Sequence, residues 1–170
     1  MWSRCPAFAA FLTSLISRLT TYQLRTHYLF YHSIKNTFNG GKIYICDSKQ
    51  RSRLELFVPI NTYYSAMDFS KDEMPNSGNL LVHSIWGLDR EGLIENFAYG
   101  NEEFLKSKGA DVKGHGILFR PTILGIELFL WAYGFGQLNI DSFFKDSVTF
   151  PNNQSIKIGL TIATNKENKI

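Results

Sequence analysis

Cysteine is almost absent: Cys5 and Cys46 are the only two in 170 residues. A disulfide scaffold is excluded, and with no C-x-x-C there is no local zinc-ligand pair. No stretch approaches the ~18 consecutive apolar residues of a membrane-spanning helix. There are only five prolines and thirteen glycines, and no low-complexity run, so collagenous and disordered classes fall away. G-x-S-x-G is missing, and Gly40-Gly41-Lys42 follows a helical stretch and precedes an extended one, the reverse of a P-loop. His27 and His32 are five residues apart, which does not bring both to one helix face, and His83 and His115 stand alone. No catalytic residue, metal ligand or cofactor is assigned on these grounds.

What is present is a globular composition, 44% hydrophobic and 15% aromatic, long enough for one compact core. The net charge of +3 conceals a gradient. Residues 1–60 carry eight basic side chains against two acidic, and residues 61–111 four against nine. An anionic partner would be steered to the first third.

Positions Phe8, Phe11, Leu12, Leu15, Leu19 and Tyr22 recur at helical spacing, predicting an amphipathic helix that docks on a core. The positive start and apolar stretch resemble a leader peptide, but Arg18 stands where a small-residue cleavage site would follow, so a retained, cytoplasmic chain is expected. Residues 24–38 read as a second helix stopped by Asn39-Gly40-Gly41. Lys42–Cys46 and Leu54–Val58 read as strands of a hairpin. Its tip carries Lys49, Arg51 and Arg53, with Tyr44 and Phe57 as stacking surfaces, a combination suited to single-stranded nucleic acid or phosphate-bearing ligands. The same charges would also serve as a solvated guard on edge strands. His27 and His32 are expected to be partly exposed, and Cys46 buried as a small apolar residue. Residues 61–78 read as a polar linker, with a short helical turn at Tyr64–Phe69.

Residues 79–134 are the most informative. Leu80, Leu81, Ser84, Ile85 and Leu88 form a helical stripe, Gly92 permits a turn, and Leu93–Tyr99 alternates as a strand. A long polar loop from Gly100 to Gly116 leads to a strand at Ile117–Arg120. Pro121-Thr122 then opens a helix over Ile123–Tyr133, stopped by Gly134. This order, with Gly92-Leu93-Ile94 and the T-x-x-G-x-x-L of Thr122–Leu128, resembles the closing half of winged-helix domains. The resemblance covers about a third of the chain. The helix, strand and second helix that open a standard winged helix have no clear counterpart before residue 79.

Winged helices often read DNA, but the helix in the groove-reading position holds Asp89 and Glu91, with Glu95 close behind, against Arg90 alone. Phosphate contact needs the opposite charge, so a protein-contacting role is favoured. The helix at 123–133 is apolar almost all round, broken only by Glu127. It is either core or, through Phe129, Trp131 and Tyr133, the anchor for a protein partner or a second copy. After residue 135, Val148–Phe150 and Ser155–Ile162 flank Pro151–Gln154 as a C-terminal hairpin.

The expected fold is α+β, one compact unit with a winged-helix-like segment at 79–134. The expected function is a non-enzymatic interaction or regulatory module that contacts protein and, through the basic hairpin, nucleic acid. A small enzyme or toxin-like effector using dispersed histidines and acids is the alternative, and a piece of a longer protein remains a third reading.

Overall fold

The computed structural model describes residues 6–150, together with the backbone of 161–162 and 164–165. The fold is α+β. In chain order its elements are α1 (Pro6–Arg18), α2 (Thr21–Phe38), α3 (Ser48–Ser52), β1 (Leu56–Pro59) and α4 (Ile60–Met67). A 3-10 turn (Met74–Asn76) leads into α5 (Ser77–Arg90), β2 (Ile94–Gly100), α6 (Glu102–Ser107), β3 (Ala110–Asp111) and β4 (Gly116–Pro121). Then come α7 (Ile123–Ala132), a second 3-10 turn (Ile140–Phe144), β5 (Thr161–Ile162) and β6 (Thr164–Asn165). No helix among the described residues is long and apolar enough to cross a membrane.

The break between α1 and α2 is a capping box. Thr20 Oγ1 accepts from the Gln23 backbone N–H, and Gln23 Oε1 accepts from the Thr20 N–H at 2.8 Å. Tyr22, grouped by spacing with the first helix, therefore belongs to the second. There its hydroxyl donates to Glu73, which bonds α2 to the segment after α4.

Helix α2 is the axis of the molecule. From Leu29 to Lys35 every residue is buried, because α4, α5 and α7 all pack on it. His27 and His32, expected to be partly exposed, are therefore buried as well. The His27 Nε2–H donates to the Gly125 carbonyl at 3.0 Å, and burial pushes its pKa down to about 4. His32 is lowered for the same reason. Lys35, also buried, donates from Nζ to the Lys145 carbonyl at 2.7 Å.

The main sheet is antiparallel, in the order β2-β4-β1-β5. Side chains of alternate residues go to opposite faces of a strand. Leu56, Val58, Ile117 and Phe119 accordingly enter the large core beneath the helices, where Phe119 stacks on Phe30 at 4.1 Å between ring centroids. Phe57 and Leu118 enter a smaller core with Leu105, Ala110 and Val112. Both faces are covered, so β1 and β4 read as continuous apolar runs rather than alternating ones.

Several expectations are corrected. There is no basic-tipped hairpin: Lys42–Ile45 is not a strand, β1 pairs with β4, and the supposed tip is α3, capped by Asp47 Oδ1 on the Lys49 N–H at 2.8 Å. Turn chemistry at 47–53 signalled a reversal, but an Asp N-cap serves a helical turn equally well. Residues 61–78 are not a linker. Tyr63 and Met67 of α4 are fully buried, and the Tyr63 hydroxyl pairs with Thr26 Oγ1 at 2.8 Å. The polar stretch 100–116 holds α6, capped by Asn101 Oδ1 on the Phe104 N–H at 2.9 Å, and β3. Cys46 is exposed, not buried. Val148–Phe150 is not a strand, and β5 pairs with β1 instead; residues 151–160 of the expected C-terminal hairpin lie outside the described residues.

The order α5, β2, β4, α7 is as the sequence predicts. Ile94 to Gly100 pairs antiparallel with Gly116 to Pro121, Gly92 turns the chain at φ 70°, and Thr122 Oγ1 caps α7 on the Gly125 N–H at 3.0 Å. Gly125 is required sterically. A Cβ there would lie 1.9 Å from the Tyr31 hydroxyl oxygen and 2.4 Å from the Leu93 carbonyl oxygen. Tyr31 uses this approach fully: its hydroxyl donates to the Leu93 carbonyl and accepts from the Thr122 N–H at 3.1 Å.

Candidate functional site

The three basic residues expected to meet nucleic acid do not act as one group. Lys49 and Arg53 are exposed at α3. Arg51 turns back, donating from Nη1 to the Ile45 carbonyl at 2.9 Å and lying 3.8 Å from Glu95. Its role is to tie the 42–47 segment to the sheet. Tyr44 is exposed and Phe57 is buried, so the two do not form a stacking platform with these cations.

Of the expected partner anchors, Phe129 is 2% exposed and sits at the centre of an aromatic cluster with Tyr28, Tyr31, Phe143 and Phe150. It belongs to the core. Tyr133 is half-buried against Tyr28 and Phe150, and Trp131 is half-buried in the wall of a cavity. The reason is α7's position: α2 covers one side and the second 3-10 turn another.

The four histidines also have separate surroundings. His27 bonds Gly125, His32 lies 3.1 Å from Asn36, His83 is 3.3 Å from the Gln23 amide, and the His115 ring lies 4.9 Å from that of Tyr99. Among the described residues no three His, Cys, Asp or Glu side chains gather closely enough to hold a metal ion.

Two features remain that sequence reasoning did not single out. The first is the outward face of α5. Its inner stripe, Leu81, Ser84, Ile85 and Leu88, is buried as expected. Asn79, Val82, His83, Trp86 and Arg90, at helical spacing on the opposite side, are exposed. Trp86, at 60% exposure, is the most exposed large apolar side chain among the described residues. A register shift in β2 between Glu95 and Ala98, with Asn96 at φ 51°, brings the Phe97 ring edge-on to it at 5.0 Å. The signal was present in the sequence, since Trp86 falls outside the apolar stripe of its helix.

The second is a cavity of about 280 Å³ between α7, Phe8 of α1 and the loop 135–141. Its apolar wall includes Ile123, Leu130, Trp131, Phe135 and Ile140. Glu127, Asp141 and Cys46 also reach it. Burial pushes the Glu127 carboxyl above its usual pKa. The Cys46 thiol is raised by burial, with the Asp141 charge adding to it. Asp141 is held in place by its Oδ1, which accepts from the Ile45 N–H at 2.9 Å. In the sequence Glu127 is visible only as the one polar break in an apolar helix.

Comparison of the chain with models of known protein families, with curated proteins and with solved structures finds no match.

Proposed function

We propose that this protein is a non-enzymatic interaction module built on a winged-helix-like core, which docks a partner protein through the outward face of α5. The fold reading is supported by chain order. A helix, a strand and a second helix precede the recognition helix of a winged helix, and α2, β1 and α4 stand in those places here. The third strand of that arrangement lies between the first two, as β4 lies between β1 and β2. A departure is the insertion of α6 and β3 between the two wing strands.

The observation that carries the docking role is Trp86. A tryptophan exposed to this degree beside Phe97, on the helix that faces the ligand in this architecture, leaves apolar surface in water that a partner would cover. The charge around it disfavours nucleic acid, because residues 61–111 carry nine acidic and four basic side chains. The same imbalance favours a partner that presents a basic surface around an apolar pocket. We place the module in the cytoplasm, a reading supported by the exposed thiol of Cys46, which is free among the described residues and suits a reducing compartment.

The test is a photo-crosslinking residue at position 82 in cells that express the chain. A discrete protein adduct is expected, and Trp86→Ser should lower its yield at least about tenfold, as for an interface hot spot. A nuclease-sensitive adduct would transfer the face to nucleic acid. No adduct, or one that Trp86→Ser leaves unchanged, refutes the docking role.

A further inference from the structure

We propose that the groove between residues 40–44 and 139–146 binds a nucleoside monophosphate, with the base on Tyr44, a ribose hydroxyl at Asp141 and the phosphate between Lys42 and Lys145. This site lies apart from the α5 face and does not depend on it.

The groove is built where two bends are tied together. Gly40, at φ 75°, turns the chain out of α2, and its N–H donates to the Phe144 carbonyl at 2.8 Å. A Cβ at Gly40 would lie 3.0 Å from the Asp146 carboxylate, so glycine lets the two segments close on each other. The Lys35 bond to the Lys145 carbonyl holds the second segment to α2 as well. The space between them is about 530 Å³, and Lys42, Tyr44, Asn139, Asp141, Lys145 and Asp146 are among its lining residues. Small-molecule sites run from roughly 300 to 1,000 Å³.

The charges in the groove are not balanced. Asp146 is satisfied from within the chain: its Oδ1 accepts from the Asn39 amide, and its charge acts on the buried Lys35 ammonium. Lys42 and Lys145 are exposed and ion-pair with no described residue. The two groove lysines therefore stand against Asp141 alone. The backbone N–H groups of Lys42 and Ile43 also hydrogen-bond to no described residue. Two ammonium groups and two open N–H donors suit phosphate oxygens, which lysine meets as a point charge. Residues 1–60, which supply one wall, carry an excess of basic side chains that steers an anion toward it.

Phosphate alone would leave the rest of the groove unused. Tyr44 is 55% exposed, and its N–H donates to Gln50 Oε1 at 3.0 Å, which fixes the backbone beneath the ring. An exposed ring held beside cations is a stacking surface for a planar base. Asp141 accepts the Ile45 N–H through Oδ1, so its Oδ2 has no donor among the described residues. A ribose hydroxyl supplies that donor, as it does to the acidic residue of dinucleotide sites.

The probe is AMP at pH 7, followed by isothermal titration calorimetry and ligand-observed saturation-transfer NMR on the full chain. Adenosine lacks the phosphate and ribose 5-phosphate lacks the base. AMP should saturate with a Kd below about 1 mM, and each of the other two should bind at least about tenfold more weakly. Lys42→Gln combined with Lys145→Gln should weaken AMP about tenfold or more and narrow its advantage over adenosine. Tyr44→Ala should weaken AMP about fivefold or more and narrow its advantage over ribose 5-phosphate. All three side chains are exposed, so the variants keep the fold, which circular dichroism checks. Adenosine or ribose 5-phosphate binding as tightly as AMP, no saturation by AMP in folded protein, or undiminished binding to either variant would overturn the proposal. Loss of the α5 crosslink would not, because the two sites share no residue.

Discussion

Lowering the pH from 7.5 to 5 should cost this fold about 2 kcal/mol through one side chain, His27. The imidazole is 5% exposed, its Nε2–H donates to the Gly125 carbonyl, and the Tyr31 and Phe129 rings lie 4.6 and 6.5 Å from it, centroid to centroid. A carbonyl only accepts, so the bond fixes the Nε2–H tautomer, and a second proton would place a charge among aromatic rings. The folded value of about 4 compares with about 6.5 in an unfolded chain. The unfolded state therefore takes up a proton as pH falls through 6.5, and the folded state does so only near 4. Stability is complete above pH 6.5, declines through the interval and levels off below 4, by about 3 kcal/mol in all. The assay is urea unfolding followed by circular dichroism at pH 7.5, 6, 5 and 4, on the wild type and on His27→Gln. His32 and the carboxylates contribute to both proteins, so the difference between the two curves isolates His27. A wild-type stability flat between pH 7.5 and 5, or a His27→Gln protein that declines as steeply, would refute the burial argument.

Two further substitutions probe the joint between α2, β2 and α7. Gly125→Ala should lose about 3 kcal/mol or more by urea denaturation, at or above the usual range for overpacking, because the added carbon meets the Leu93 backbone and the Tyr31 ring. Thr122→Ala should lose about 1–2 kcal/mol in the same assay, since the hydroxyl both caps α7 on Gly125 and donates to the Gly92 carbonyl at 2.7 Å.

The stretch from α5 to α7 was legible because each boundary has its own chemistry. Gly92 takes the left-handed conformation, Thr122 caps, Gly134 stops, and the apolar stripe of α5 has the helical period. The region before it was misread where local signals fit two outcomes. Asp47 followed by a polar run suits both a hairpin turn and the N-cap of a short helix, and long-range pairing of β1 with β4 settled which. The polar look of 61–78 concealed Tyr63 and Met67, which are buried because α4 packs on α2 and on strands β1 and β4.

The same division holds for function. Local sequence established the α+β class, the order α5, β2, β4, α7 but not the α6 and β3 between the two strands, the acidic middle third and the absence of familiar catalytic motifs, since periodicity, capping and charge are properties of neighbouring residues. Only the assembled chain decided that Arg51 points inward, that Phe129 is core while Trp86 is surface, and that Cys46, Glu127 and Asp141 border one cavity. Those outcomes depend on which faces the helices turn toward each other, and that is set by contacts between residues some 40 to 110 positions apart, such as Tyr31 with Leu93, His27 with Gly125 and Ile45 with Asp141.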